Sequence, residues 1–455
     1  MKNKRHERRV KRLALIVTLC TIILAVSTYA WFIGMKTVSV SSFDVQIAAT
    51  EGLSLSLDGI TWSETVEING SNYNVSTYEN NTNTWGGDGL IPVSSIGKID
   101  DEISRLVMFE KGSLTATTGG YRLLASRVQN YDLGADNAKV ATPKKEEGTG
   151  FVAFDLFVKN LSGKAYYKSF DVRNEEAIYL SQESAVSVVN AGSTDPQLKT
   201  GIENSVRVAF AQIGRVEADA ESSTTTIIQG ITCNKDNTID AVTGSCTKDA
   251  VIWEPNDKAH VANAINWYEE ACNARSGDDI TAAAAYTTDK EDTTDKDESK
   301  CKAVVDGAYS QTYAIGSEII VGTPSAGVDV YDGADYNGYT KTINGVEGAL
   351  ENAPLYPVNY FTDTEKMLTG LQRPQFFSLA PNSITKIRVY VYIEGQDVDN
   401  YDFASLGKAI TVSFGFTKER FFDSDIDYNG PMSVEKQDGD DKVEIAVPTT
   451  KDLAA

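Results

Sequence analysis

Histidine is nearly missing from this chain: among 455 residues only His6 and His260 occur. A Ser-His-Asp or Cys-His arrangement would therefore have to be built on His260. A lone histidine on an amphipathic stretch reads first as a surface or packing residue. No H-E-x-x-H metalloprotease helix, no G-x-x-x-x-G-K-[ST] phosphate loop and no G-x-S-x-G nucleophile elbow is present. Carboxylates are abundant, so counting does not exclude a glycosidase pair, yet nothing marks two of them out. The expectation is a protein that is not an enzyme, with no catalytic and no cofactor-binding residue.

Positive charge is the second shortage. The chain has 42 Lys+Arg against 64 Asp+Glu; residues 1–30 hold 7 and 1 of these, so the remainder has 35 against 63, a net of −28. Such a surface repels nucleic acid and anionic lipid, which excludes both as partners of the acidic part. Apolar runs are also scarce. The one long run, Leu13 to Ile33, lies at the N-terminus, and the sequence closes Lys451-Asp452-Leu453-Ala454-Ala455 without an apolar tail. Wall attachment by a sortase is disfavoured on that pattern. Five cysteines occur, with no C-x-x-C pair, which argues against a zinc site.

What is present begins with the leader. Lys2, Lys4, Arg5, Arg8, Arg9, Lys11 and Arg12 precede an uncharged run from Leu13 to Val26, and Ser27-Thr28-Tyr29-Ala30 follows. A basic start, an apolar middle and a small-residue exit are the plan of a secretory signal peptide. Thr28 and Ala30 occupy the −3 and −1 places of a cut before Trp31. Leu13 to Ile33 is 21 residues, close to the ~20 that span a bilayer, so an uncleaved anchor to about residue 33 is the rival reading. Cys20 follows Leu19 rather than a small residue, which disfavours lipoprotein processing. Either way, everything beyond Trp31 is expected to be extracellular or at the cell surface. The membrane is met only through the N-terminal segment, and a signal peptidase is met during export.

The remaining cysteines, Cys233, Cys246, Cys272 and Cys301, then stand in an oxidising compartment and predict two disulfides. Three connectivities are possible; Cys233–Cys246 and Cys272–Cys301 are favoured because each closes a local loop.

Period-two alternation recurs through the chain. Phe43, Val45 and Ile47, then Leu53, Leu55 and Leu57, later Ile387, Val389, Val391 and Ile393, and finally Ile410, Val412, Phe414 and Phe416 alternate with mostly polar neighbours. Phe151 to Val158 is apolar on both faces except Asp155, as a central strand would be. The fold class expected is mainly β, an antiparallel sandwich or jelly-roll-like core with a small helix-containing, cysteine-bearing insertion. The helix is predicted from Asp257 as cap through Val261, Ala264, Ile265, Tyr268, Ala271 and Cys272. The layout is a leader over 1–30, the first part of the β core over 31–216 and the insertion over 217–304. The second part of the core follows over 305–422, then an acidic tail over 423–455.

Calcium is the one ligand the acidic loops suggest. Asp423, Asp425 and Asp427, with Asn429, run at every second position before Gly430, but Tyr428 stands where an EF-hand loop needs glycine. Asp397, Asp399 and Asp402 form a second cluster, and Asn234, Asp236 and Asp240 a third. A sugar-stacking role for Trp85 in Thr84-Trp85-Gly86-Gly87 is the alternative site, against a tryptophan tucked under its own turn.

Ser27-Thr28-Tyr29-Ala30-Trp31-Phe32, followed by Lys36-Thr37-Val38, resembles the leaders of TasA/camelysin-type exported proteins of Firmicutes, which a dedicated signal peptidase handles. Val251-Ile252-Trp253-Glu254-Pro255-Asn256 and Thr385-Lys386-Ile387-Arg388-Val389-Tyr390, running into Ile393 to Asp399, resemble other surface proteins with that leader. The resemblance implies a jelly-roll-like subunit of biofilm-matrix fibres. Its partner would be itself or a related surface protein, joined by an N-terminal strand that begins at Trp31 and includes Val38 and Val40. The proteolysis associated with camelysin-like proteins is not implied, since no catalytic motif supports it. A cell-surface adhesin or carbohydrate-binding module is the alternative function.

Overall fold

The computed structural model describes residues 40–446 in segments, the longest being 52–73, 89–100, 147–162, 175–188, 200–218, 249–266, 373–400 and 408–420. Residues 1–39, 267–303, most of 317–354, and 447–455 lie outside the described residues. In chain order the strands used below are β1 (Val40–Ala49), β2 (Leu53–Ser56), β3 (Thr65–Asn69), β4 (Thr84–Trp85), β5 (Pro92–Ser94), β6 (Phe109–Lys111), β7 (Val152–Asn160) and β8 (Glu176–Leu180). They continue as β9 (Ala185–Val188), β10 (Val206–Glu217), β11 (Val251–Glu254), β12 (Phe361–Thr362), β13 (Phe377–Leu379), β14 (Ser383–Glu394), β15 (Lys408–Arg420), β16 (Ser433–Asp438) and β17 (Asp441–Ala446).

Most of these strands fall into two sheets. The six-stranded sheet runs β13-β8-β15-β1-β3, with β9 also on β15. The eleven-stranded sheet is organised on β14, which is flanked by β7 and β10 in antiparallel register and met at its end by β5 in parallel. β2 and β4 extend from β7, and β11 and β12 continue beyond β10. The protein is thus mainly β, with open sheets of mixed but mostly antiparallel pairing.

Local sequence explains why β14 forms and where it starts. Ile384, Ile387, Val389, Val391 and Ile393 are β-branched and suit the pleated surface. Asn382 ahead of the strand has φ 49°, a left-handed conformation that a short polar residue tolerates, and Ser383 Oγ closes the turn by donating to the Ala380 carbonyl at 2.7 Å. On β10 the register against β14 shifts between Gln212 and Gly214, a bulge in an otherwise continuous ladder.

One apolar layer is shared by the two sheets. Val45, Ile47, Ile178, Val412, Phe414 and Phe416 come from the smaller sheet; Leu55, Phe154, Leu156, Val208, Phe210, Ile387 and Val389 come from the larger. Phe210 marks the contact, with ring centroids 4.5 Å from Phe376, 5.5 Å from Phe414 and 6.4 Å from Phe416. The opposite face of the larger sheet is buried too: Val93 and Ile252 of that sheet cluster there with Leu106, Met108 and Tyr360.

Several expectations meet the structure here. The alternating runs around Ile387 and Ile410 are both strands, but they belong to different sheets and do not pair with each other. Within residues 217–304, Thr243–Gly244 and β11 pair with β10, so this part of the expected insertion continues the larger sheet. The helix expected from Asp257 begins five residues later, at residue 262, and is described as far as residue 266. Asn256 turns the chain at φ 58°, and the N–H groups of His260 and Val261 are met by Asp306 Oδ1 and Asp399 Oδ1 at 3.1 and 3.2 Å, carboxylates from distant segments. Tyr268, Ala271 and Cys272 lie outside the described residues. The expected tail, 423–455, contains an antiparallel hairpin, β16 with β17, in which Val434 faces Ile445.

Candidate functional site

The first described element, β1, contains Val40, the one described residue named in the strand that the leader resemblance implies for assembly. β1 lies inside the smaller sheet, with β15 parallel on one side and β3 antiparallel on the other. Val45 and Ile47 enter the shared core, each worth roughly 1.5–3 kcal/mol when fully buried. Asp44, Gln46 and Ala48 alternate with them, so the strand has one apolar and one polar face. The nine backbone pairs that join β1 to β15 link the two ends of the chain. Val40 is part of β1, whereas Trp31 and Val38 lie outside the described residues.

A group of charged side chains sits on the covered face of the larger sheet. Asp155, in the middle of β7, is opposite Arg388 of β14 in the ladder. Its Oδ1 accepts from Arg388 Nε at 2.7 Å; its Oδ2 accepts from Tyr78 Oη at 2.7 Å and lies 3.2 Å from Lys386 Nζ. Burial would raise the Asp155 pKa, but the charges of Arg388 and Lys386 outweigh it and hold the carboxyl far below its usual range. Burial lowers the Lys386 pKa, against the pull of Asp155. Glu147 is 3.4 Å from Arg105 Nε and accepts from Tyr390 Oη at 3.1 Å; burial raises its pKa because Arg388 and Arg105 offset only part of the penalty. These groups neutralise one another within the sheet and hold its strands together.

At the other end of β14 a second group gathers. Arg207 donates to Glu254 Oε1 at 2.5 Å and to Asp397, and its guanidinium lies 5.3 Å from the Tyr360 ring centroid. His260 Nδ1 is 2.8 Å from Asp399 Oδ2, and Asp399 in turn accepts from the Val261 N–H. Burial pushes the His260 pKa down, but the hydrogen bond and charge of Asp399 dominate and raise it. Glu394 is enclosed completely, and burial lifts its pKa to about 8 despite Ser94 and Arg207. Gly201 stands beside this group at φ 79°, where a Cβ would fall 2.9 Å from Asp399 Oδ1, so glycine is required on both counts.

Asp397 and Asp399, read in sequence as part of a calcium cluster, therefore face Arg207 and His260 of the protein itself. Among the described residues no group of three or more His, Cys, Asp or Glu side chains is arranged to hold a metal ion. His260 is neither exposed nor simply packed; it is buried and paired with a carboxylate. Trp85 forms β4 against Val152, stacks on Tyr73 at 5.7 Å with an interplanar angle of 19°, and lies against the core. Gly70 leaves it room, since a Cβ there would be 3.0 Å from the indole. Thr28, Ala30, Trp31, the four cysteines Cys233, Cys246, Cys272 and Cys301, and the calcium candidates Asp423, Asp425 and Asp427 all lie outside the described residues, as do Asp402, Asn234, Asp236 and Asp240.

Sequence reasoning missed the buried charges. One signal pointed to them: Asp155 in an apolar run demands a buried cation, because an isolated carboxylate there would cost several kcal/mol. Its partner could not be chosen from spacing, since Arg388 lies 233 positions away. No helix among the described residues is long and apolar enough to cross a membrane. No family model, curated protein or solved structure matches the chain.

Proposed function

We propose that the protein is an exported structural component of the cell surface or extracellular matrix, a fibre subunit whose copies join by exchange of the N-terminal strand. The observation that carries this reading is the seat of β1. The first described strand fills an interior place in a sheet whose two neighbours, β15 and β3, would otherwise present open edges. A neighbour's β1 would satisfy the same ladder and the same Val45 and Ile47 sites, so exchange costs little beyond opening the sheet. Two sheets sharing one apolar layer suit a sandwich of the jelly-roll kind, the architecture that the leader resemblance implies. The acidic surface keeps free subunits apart until strands engage.

Imaging of the purified mature protein, combined with N-terminal sequencing, tests the proposal. Filaments are expected from a chain that starts at Trp31. A chain lacking residues 31–49 is expected to stay monomeric and to capture an added peptide of residues 40–49. Monomers alone under all conditions would sink the fibre reading in favour of a binding module at the cell surface.

A further inference from the structure

Where the two sheets meet at one end, a lysine, an asparagine and a glutamate converge. Asn160 ends β7 in the larger sheet and is fully buried; Lys418 of β15 and Glu176 of β8 belong to the smaller sheet. Lys418 Nζ lies 3.0 Å from Asn160 Oδ1, one bond from the amide carbon. Glu176 Oε2 accepts from Asn160 Nδ2 at 2.8 Å and lies 3.4 Å from Lys418 Nζ. The amide cannot turn over without loss. Oδ1 also accepts the Ser162 N–H at 3.2 Å, and Nδ2 also donates to the Ala380 carbonyl at 3.1 Å. Ser162 Oγ donates to the same Glu176 oxygen and fixes it. Gly52, at φ 84°, adjoins the amine; a Cβ there would be 3.1 Å from Nζ, so a side chain would press on the amine.

We propose that this trio is a self-modification site that forms an isopeptide bond between Lys418 and Asn160. The lysine nitrogen attacks the asparagine side-chain carbonyl carbon after giving a proton to Glu176. The new C–N bond forms and the old Cγ–Nδ2 bond breaks. Glu176, already hydrogen-bonded to the leaving nitrogen, passes that proton to it and takes up the second proton that the lysine nitrogen sheds on forming the amide; ammonia departs and Glu176 later yields the extra proton to water. One amine and one primary amide become one secondary amide and ammonia, so no oxidant, nucleotide or metal is consumed. Lys418 and Glu176 keep side-chain exposures of 16% and 18%, which leaves ammonia a way out. Proximity of this kind replaces a bimolecular encounter, and the adjoining carboxylate supplies the proton transfers that an amide leaving group needs. The bond would tie the larger sheet to the smaller and close a loop of 258 positions. The second buried lysine–carboxylate contact, Lys386 with Asp155, differs: Arg388 holds Asp155 ionised, and a carboxylate resists attack by an amine. The inference is independent of the fibre reading.

Mass spectrometry of the reduced, denatured full chain tests it. The wild-type chain is expected to weigh one ammonia less than its sequence. Trypsin should fail to cut after Lys418, and a branched peptide should join that segment to the one containing Asn160. Lys418→Arg and Glu176→Gln should each restore the unmodified mass, the second while keeping both reacting groups. A wild-type chain of full mass with separate Asn160 and Lys418 peptides would falsify the proposal, and so would an Asn160 found deamidated instead of branched. Because the wild-type mass alone decides, a variant that fails to fold does not blunt the test.

Discussion

The two faces of the larger sheet are both buried, yet one is largely apolar while the other sets buried charges among its apolar side chains. Toward the smaller sheet β14 presents Ile387, Val389, Val391 and Ile393; on its other face the same strand presents Lys386, Arg388, Tyr390, Tyr392 and Glu394. All twelve residues of the strand are buried. The apolar face needs only shape, since any well-filled surface gains from leaving water. The charged face needs partners one by one, and it has them: Asp155 for Arg388 and Lys386, Glu147 for Arg388, Glu254 and Asp397 for Arg207. Burial is therefore not the same property on the two sides. One side is forgiving of sequence and the other specifies register, because a one-residue slip of β14 would carry Arg388 into the aliphatic layer.

The sharpest break of this comparison comes from removing one charge. Asp155→Ala leaves Arg388 and Lys386 buried without their main counter-charge and is expected to cost about 3–5 kcal/mol, read as a lower urea midpoint. Phe210→Ala on the apolar side is expected to cost a similar 3–5 kcal/mol or so through the cavity it opens. The two losses differ in how they are repaired. Replacing Asp155, Lys386 and Arg388 together by apolar residues of like size should recover most of the first loss, as a balanced removal leaves no charge stranded. If the triple variant is no better than Asp155→Ala, the cluster does more than neutralise itself.

The strands themselves were largely legible. β-branched and aromatic residues at period two, in Val45–Ile47, Ile387–Ile393 and Ile410–Phe416, mark pleated surfaces whatever the fold. The partition into two sheets was not legible, because it rests on pairings between distant segments, such as Val45 with Val412 and Phe154 with Val389. Arg388 and Tyr390 misled in a particular way. Alternation of apolar and polar residues predicts a half-exposed strand, and only the layer formed by residues far away in sequence turns that polar face inward. The same limit applies to Asn160, Glu176 and Lys418, three ordinary polar residues until the end of β7 is set against β8 and β15. Trp85 shows the converse: its sequence context favours a ring tucked under its own turn over a sugar platform, and the ring is covered, though by Tyr73.

A smaller effect separates the two ends of β14 by pH. Glu394 has a folded pKa of about 8, above its unfolded value near 4.3, so folding favours its protonated form. Its contribution is fully present below the unfolded pKa and is lost as pH rises through about 8. His260, raised by Asp399, acts in the same direction, while Asp155 has a lowered pKa and loses its contribution only in strong acid. The wild-type Tm is expected to fall between about pH 5 and 8, and Glu394→Gln should flatten that fall, removing on the order of a few kcal/mol from the pH dependence of the unfolding free energy. Parallel Tm profiles for the two proteins would show that Glu394 is solvated and that this end of the strand is not closed.

The smallest expected effect uses the same chemistry outside the sheet. Lys98 Nζ is 2.6 Å from Asp249 Oδ1, a shorter contact than Lys386 makes with Asp155, but the two side chains are 56% and 57% exposed. In water each charge keeps most of its hydration when the partner is lost, so Lys98→Ala is expected to cost only about 0.2–1 kcal/mol, less with added salt. The backbone bridge between Lys98 and Asp249 stays in place, because it does not use the side chain. Denaturant midpoints of Lys98→Ala and Asp155→Ala, measured side by side, then compare one type of ion pair in two dielectric settings. If the exposed pair proves as costly to break as the buried one, distance rather than burial governs these contacts, and the contrast between the two faces of β14 loses its physical basis.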